Sequence, residues 1–224
     1  MKWLYLIRSS IEGRFGLLLK YLLLAGVGLI LIVIRQFIPT DKPMAFLLWN
    51  LFLALIPLAF SSVLLKAQSE RLPLFSQLII GFGWLVFFPN APYMLTDYIH
   101  LTYGDQTYFW LDVLTLSYFA FIALATAVIS LMDIEAWLKA HLSNGLVKMA
   151  VFVLCLLSGI GIYLGRDLRF NSWDVIMKPK ELLHYSLSRM SDPMSDIYTW
   201  AAASIISLLL FGLYLVWPRK HKSV

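Results

Sequence analysis

Two short stretches hold most of the residues able to do chemistry. The first, FFPNAPYMLTDYIH over residues 87–100, sets Asn90, Tyr93, Asp97 and His100 among two prolines. The second, GRDLRFNSWD over residues 165–174, carries Arg166, Arg169, Asn171, Trp173 and Asp174. A further carboxylate, Asp112, stands alone in the apolar run YFWLDVLTLSYF. Asp97, His100, Asp112 and Asp174 are the catalytic candidates, because carboxylates and imidazole can hold and pass a proton. Asn90, Tyr93, Arg166, Arg169, Asn171 and Trp173 are the substrate-binding candidates. The two arginines present planar donor forks suited to a carboxylate or phosphate.

Each signal has a plainer explanation. Tyr and His are common at membrane interfaces without any task. Asp112 suits the positive end of a helix dipole. Arg166 and Arg169 are explained equally by ion pairs to Asp97, Asp112 or Asp174. The three-residue spacing of Asp97 and His100 would place two metal ligands on one helical face. Neither H-E-x-x-H nor C-x-x-C accompanies them, so no metal site is assigned. Ser172 lacks the Gly-x-Ser-x-Gly elbow of a hydrolase nucleophile. Cys155, the single cysteine, sits in VFVLCLLSG and reads as a packing residue. The sequence names no cofactor.

The elements that must position these groups follow from composition. Of 224 residues, 60% are hydrophobic and 14% charged. Soluble domains are nearer a quarter charged, and the apolar blocks here are long enough to cross a bilayer. Backbone groups in lipid must be satisfied internally, and no alternating strand pattern exists, so the spans are helices. The reading is an all-α polytopic transmembrane helical bundle of about six spans. They cover Leu17–Ile38, Ala45–Leu65, Leu74–Phe88 with an irregular extension, Tyr108–Met132, Gly145–Gly165 and Trp200–Trp217. Residues 1–224 form a single integral membrane domain, with the bundle over 17–217 and a long loop over 166–196. The run from Tyr21 to Ile34 lacks a cleavage site and reads as a retained first helix. Ahead of it, Trp3, Ile7 and Ile11 share a face of a short basic helix suited to a membrane surface.

Lys and Arg set the orientation. Lys2, Arg8, Arg14, Lys20, Lys66, Arg71, Lys139, Lys148, Arg219, Lys220 and Lys222 fall on one side. The other side holds fewer: Arg35, Lys42, Arg166, Arg169, Lys178, Lys180 and Arg189. Both termini are therefore expected in the cytoplasm of a multi-pass cell-membrane protein. The net charge of +5 is loop charge of this kind and does not point to nucleic acid.

On this orientation both motifs reach the outer face. Fifteen residues from Leu74 to Phe88 give roughly 22 Å of helix, short of the ~30 Å hydrocarbon core. Pro89 and Pro92 break the span there. Asn90 is placed to cap a restarting helix through its side-chain oxygen. In an α-helix, Tyr93, Thr96, Asp97 and His100 would form one polar stripe. Gly161 and Gly165 allow a close helix approach, after which Arg166 and Arg169 share a face. Leu182, Leu183, Leu187 and Met190 give the segment after Lys178 an apolar side.

The two motifs resemble a family of bacterial integral membrane proteins catalogued as domain of unknown function 1361. The resemblance runs over roughly residues 20–215. It rests on Phe88-Pro89-Asn90-Ala91-Pro92-Tyr93 with Asp97 and His100, and on Gly165-Arg166 with Arg169, Asn171, Ser172, Trp173 and Asp174. It implies a multipass membrane protein and supplies no activity. At Asp167 the family pattern implies an apolar or aromatic residue, where this chain departs.

Two functions fit. One is an outward-opening site that binds or processes an anionic lipid-linked or envelope substrate. The other is a non-catalytic assembly or anchoring partner, or a transporter subunit, with its protein partners unnamed. Transport is disfavoured because only one span is broken.

Overall fold

A computed structural model describes residues 2–37, 44–102, 108–166, 168–190 and 197–218. The described residues contain helices and no strand. Helices α1 (Lys2–Gly13), α2 (Phe15–Gln36), α3 (Phe46–Ser69) and α4 (Leu74–Phe87) lead into α5 (Asn90–Tyr93) and a 3₁₀ segment (Met94–Thr102). Then follow α6 (Phe109–Leu138), α7 (Asn144–Arg166), α8 (Asp174–Met177), α9 (Pro179–Met190) and α10 (Ile197–Val216).

Five stretches are long and apolar enough to cross a membrane: α2, α3, Leu74–Thr102, α6 and α7. In α10 the apolar part, Trp200–Val216, is shorter. Helix α6 is the centre: 56% of its most apolar window is buried, against 17% for α2, which lies outermost. Helix α3 packs on α6 and α4, and α10 packs on α7.

Helix α2 buries only Tyr21, Gly28, Ile32 and Arg35, one stripe along its length. Its other faces expose Leu22, Leu23 and Ile30, as a lipid-facing helix should. The stripe meets α6 in a register that repeats every seven residues. Arg14, just before α2, donates from Nη2 to Asp133 Oδ1 at 2.6 Å. The Tyr21 phenol faces Thr126. At Gly28 a methyl would come within 2.6 Å of Phe119 Cζ. Arg35 Nε donates to Asp112 Oδ1 at 2.5 Å, and Nη2 to Oδ2 at 3.3 Å. Asp112 and Asp133 are roughly 31 Å apart along α6 at about 1.5 Å per residue, close to the ~30 Å core thickness.

This register corrects two expectations. Arg35 is no loop charge; it ends α2 and is 2% exposed. Asp112 pairs with Arg35 and not with the arginines of the second motif. Lys42, Asp167 and the basic tail from Arg219 onward lie outside the described residues. In α1 the packed face is Leu6 and Ser10, whereas Trp3, Ile7 and Ile11 are exposed.

Breaking a buried ion pair from one side strands a charge, whereas replacing both partners by apolar groups does not. Arg35→Ala or Asp112→Ala should each destabilise the protein by about 3–5 kcal/mol. The double variant Arg35→Met/Asp112→Leu should recover most of that loss. Unfolding by denaturing detergent, followed by circular dichroism, measures both.

Candidate functional site

The site begins where α4 gives out. Pro92 has no N–H for the Phe88 carbonyl, so the Ala91 N–H takes that oxygen instead, at 3.3 Å. The Phe87 carbonyl thereby loses its normal partner, and Asn90 Nδ2 donates to it at 2.8 Å. Asn90 therefore finishes the outgoing helix with its amide nitrogen. It does not cap the next one, whose preceding residue is Pro89. The Tyr93 N–H donates to the Pro89 carbonyl at 3.0 Å, closing the one turn of α5.

Beyond Tyr93 the chain winds as a 3₁₀ helix, not as the expected α-helix. At three residues per turn, positions three apart eclipse. The single stripe therefore splits in two. Tyr93 and Thr96 lie on one ridge, and Met94, Asp97 and His100 on the next. Asp97 is 2% exposed, whereas His100 is exposed with its ring 4.8 Å from that of Phe46. Tyr98 donates to Ser117 Oγ at 2.7 Å, tying this segment to α6.

The second motif meets the first. A Cβ at Gly161 would collide with the Pro89 ring, and one at Gly165 would lie 3.5 Å from Tyr93 Cε2. The two glycines are therefore the seats for Pro89 and Tyr93, which explains their four-residue spacing. Past Arg166 the chain folds back, and the Phe170 N–H donates to the Leu164 carbonyl at 3.1 Å. Arg169 takes a left-handed φ of 56° within this turn, so it leaves the helical face expected to join it to Arg166. The Asn171 N–H donates to Asp174 Oδ2 at 2.7 Å, and Asn90 Nδ2 donates to Ser172 Oγ at 2.8 Å. Arg166 Nη1 stands 3.9 Å from Asp97 Oδ1.

Between them lies a half-open cavity of about 260 Å³. Asn90, Tyr93, Asn171 and Ser172 supply its polar wall, and Leu53, Val86 and Val175 part of its apolar wall. Asn50 also lines it and donates from Nδ2 to Asp97 Oδ2 at 2.9 Å, so Asp97 sits directly behind the wall. Of the sequence candidates, Asp97, Arg166, Asn90, Tyr93 and Asn171 are thus brought together. Asp174 secures its own loop, Trp173 and Arg169 are exposed, and Asp112 is engaged by Arg35. Among the described residues, no three His, Cys, Asp or Glu side chains gather as a metal-binding group.

Sequence reasoning missed Asn50 and Trp49. The available signal was an amide inside an apolar helix, since polar groups within spans usually face protein or a cavity.

A family model described as protein of unknown function (DUF1361) matches residues 49–216. The chain belongs to that family. The DUF1361 match opens at Trp49 and Asn50 of the cavity wall and takes in both motifs and α6. No curated protein and no solved structure matches the chain.

The contact between motifs is directly testable. In a Cys155→Ser background, Asn90→Cys with Ser172→Cys should be joined in most molecules by a short bifunctional thiol reagent. A Leu29→Cys partner in place of Ser172→Cys should leave the chain unlinked. Mass spectrometry of the digested protein reads the yield, and an unlinked 90–172 pair would separate the two motifs.

Proposed function

We propose that the cavity binds the anionic polar part of a lipid-linked or cell-envelope molecule, at the outer face of a cell membrane and with both termini cytoplasmic. The observation that carries this reading is the joining of the two motifs across one cavity, by Asn90 to Ser172 and by Arg166 facing Asp97. The cavity's mixed wall suits a ligand with a polar head and an apolar tail. Arg166 follows Gly165 and the exposed Arg169 precedes Phe170, both of the cavity wall, so the two arginines supply charge-assisted donors for the head from the rim of the cavity. Asn50 and Asp97 act as positioning residues for Arg166, because Asp97 is too deeply buried to meet a ligand directly. Binding is therefore favoured over acid–base catalysis. The withdrawal of Arg35 into an ion pair leaves the outer loops still poorer in positive charge than the inner ones, which supports the orientation.

The left-handed backbone of Arg169 supports a working side chain there. A non-glycine residue held in that region costs on the order of 1–3 kcal/mol, and glycine would fit without that cost. A structural role alone would be better served by Gly. The exposed Ile176, Met177, Leu183 and Leu187 on α8 and α9 favour a membrane surface or partner beside the site.

Farnesyl phosphate and farnesol, titrated into the detergent-solubilised protein, separate head-group recognition from tail binding. The phosphate should bind about tenfold more tightly, the scale of a charge-assisted hydrogen bond. Arg166→Gln and Arg169→Gln should each abolish that preference. Arg169→Gly should abolish it too, while leaving the thermal midpoint unchanged or raised. Equal binding of the two probes to the wild-type chain would overturn the proposal.

A further inference from the structure

At the opposite end of α6 from Asp112, the surface holds a second cavity that the motifs do not touch. It is a half-open groove of about 350 Å³ between α2 and α3, closed at one end by α1. One wall runs along α2 from Arg14 to Ala25 and the other along α3 from Phe52 to Val63. Each wall is roughly 16 Å long at about 1.5 Å per residue, half of the ~30 Å hydrocarbon core. The groove therefore has the depth of one lipid leaflet.

Its polarity is arranged end to end. Ala25, Phe52, Ile56 and Ala59 give apolar surface over most of its length. Arg14 and Ser10 stand at the α1 end. The Ser10 hydroxyl already donates to the Leu6 carbonyl, and Arg14 Nη2 is engaged by Asp133. Arg14 Nη1 is buried and, among the described residues, has no hydrogen-bond partner. A buried guanidinium N–H without an acceptor is costly, and native structures rarely leave one so. The Arg14 side chain as a whole keeps 24% of its surface open, so a small turn of the guanidinium would bring Nη1 to a ligand oxygen at the mouth of the groove. The strongest such acceptor is an anionic one.

We propose that this groove holds one acyl chain of a glycerophospholipid, with a phosphate oxygen accepting the hydrogen bond of Arg14 Nη1. The lipid fills the wedge between α2 and α3, two helices that scarcely touch each other. It thereby supports α2 alongside its seam with α6, where Arg14 and Tyr21 belong to both. The site lies apart from the outer-face cavity and does not depend on what that cavity binds.

Native mass spectrometry of the delipidated full-length protein, titrated with dioleoyl phosphatidylglycerol or dioleoylglycerol, tests this. The two probes share chains and esters, and only the first has a phosphate. The first phosphatidylglycerol should bind about tenfold more tightly than dioleoylglycerol, as one charge-assisted hydrogen bond requires. Arg14→Gln should remove that difference. Because Arg14→Gln also disturbs Asp133, two groove-filling variants are run beside it. Ala59→Trp and Leu22→Trp, on opposite walls, should each lose the first bound lipid, and Ile30→Trp on the outer face of α2 should keep it. Equal wild-type affinity for the two probes, or unchanged lipid binding by both groove-filling variants, overturns the proposal. So does a lipid-free wild-type dimer that Ala59→Trp dissociates, which would assign the groove to a second copy of the chain.

Discussion

The pairing of α2 with α6 is the constraint on which the remaining structure hangs. In lipid, one apolar helix has little reason to prefer another over the surrounding acyl chains, so close packing and polar contacts must decide. Here they recur at intervals of seven residues on both helices. Arg14 meets Asp133, Tyr21 meets Thr126, Gly28 receives Phe119, and Arg35 meets Asp112. A seven-residue repeat is the spacing at which two helices keep one seam in contact over many turns. The outer pairs are charged, and the inner ones are a polar contact and a steric fit. Sliding α2 by one turn would strand two arginines and two aspartates at once. The register is therefore specified far more strongly than the apolar surface alone could manage.

From α6 the constraint passes to the site. Ser117 of α6 holds Tyr98, the 3₁₀ segment carries Asp97, and Asp97 faces Asn50 on one side and Arg166 on the other. The broken span contributes at the same point. Pro89 and Pro92 leave backbone oxygens short of donors, and Asn90 answers one of them while reaching Ser172 with the same nitrogen. Gly161 and Gly165 then admit the Pro89 and Tyr93 rings against α7. A local defect in one helix and two missing side chains in another thus form a single joint.

Much of this could be read from the residues alone, and what could not shares a physical cause. The spans followed from unbroken apolar runs, and the break at Pro89 from two missing donors. The placement of both motifs at helix ends on one side followed from the order of the spans, and the structure joins them through Asn90 and Ser172. Misjudged features all depended on partners distant in sequence or on competition among backbone bonds. Arg35 looked like a loop charge because its partner is 77 positions away. Asn50 looked unremarkable in an apolar helix until Asp97, 47 positions on, was placed beside it. The switch from α to 3₁₀ winding after Tyr93 divided an apparent stripe, since periodicity arguments assume the helix type they set out to use. Arg166 and Arg169 parted company because the chain turned between them.

The separation of Arg35 from Asp112 also orders events during synthesis. At about 5–20 residues per second, the 77 positions from Arg35 to Asp112 take on the order of 4–15 s to emerge from the ribosome. Through that interval α2 has no counter-ion for Arg35, and a lone arginine in the hydrocarbon is unfavourable. Its long side chain can instead reach up to the headgroups. The headgroup layer therefore stands in for Asp112 until α6 arrives to complete the ion pair.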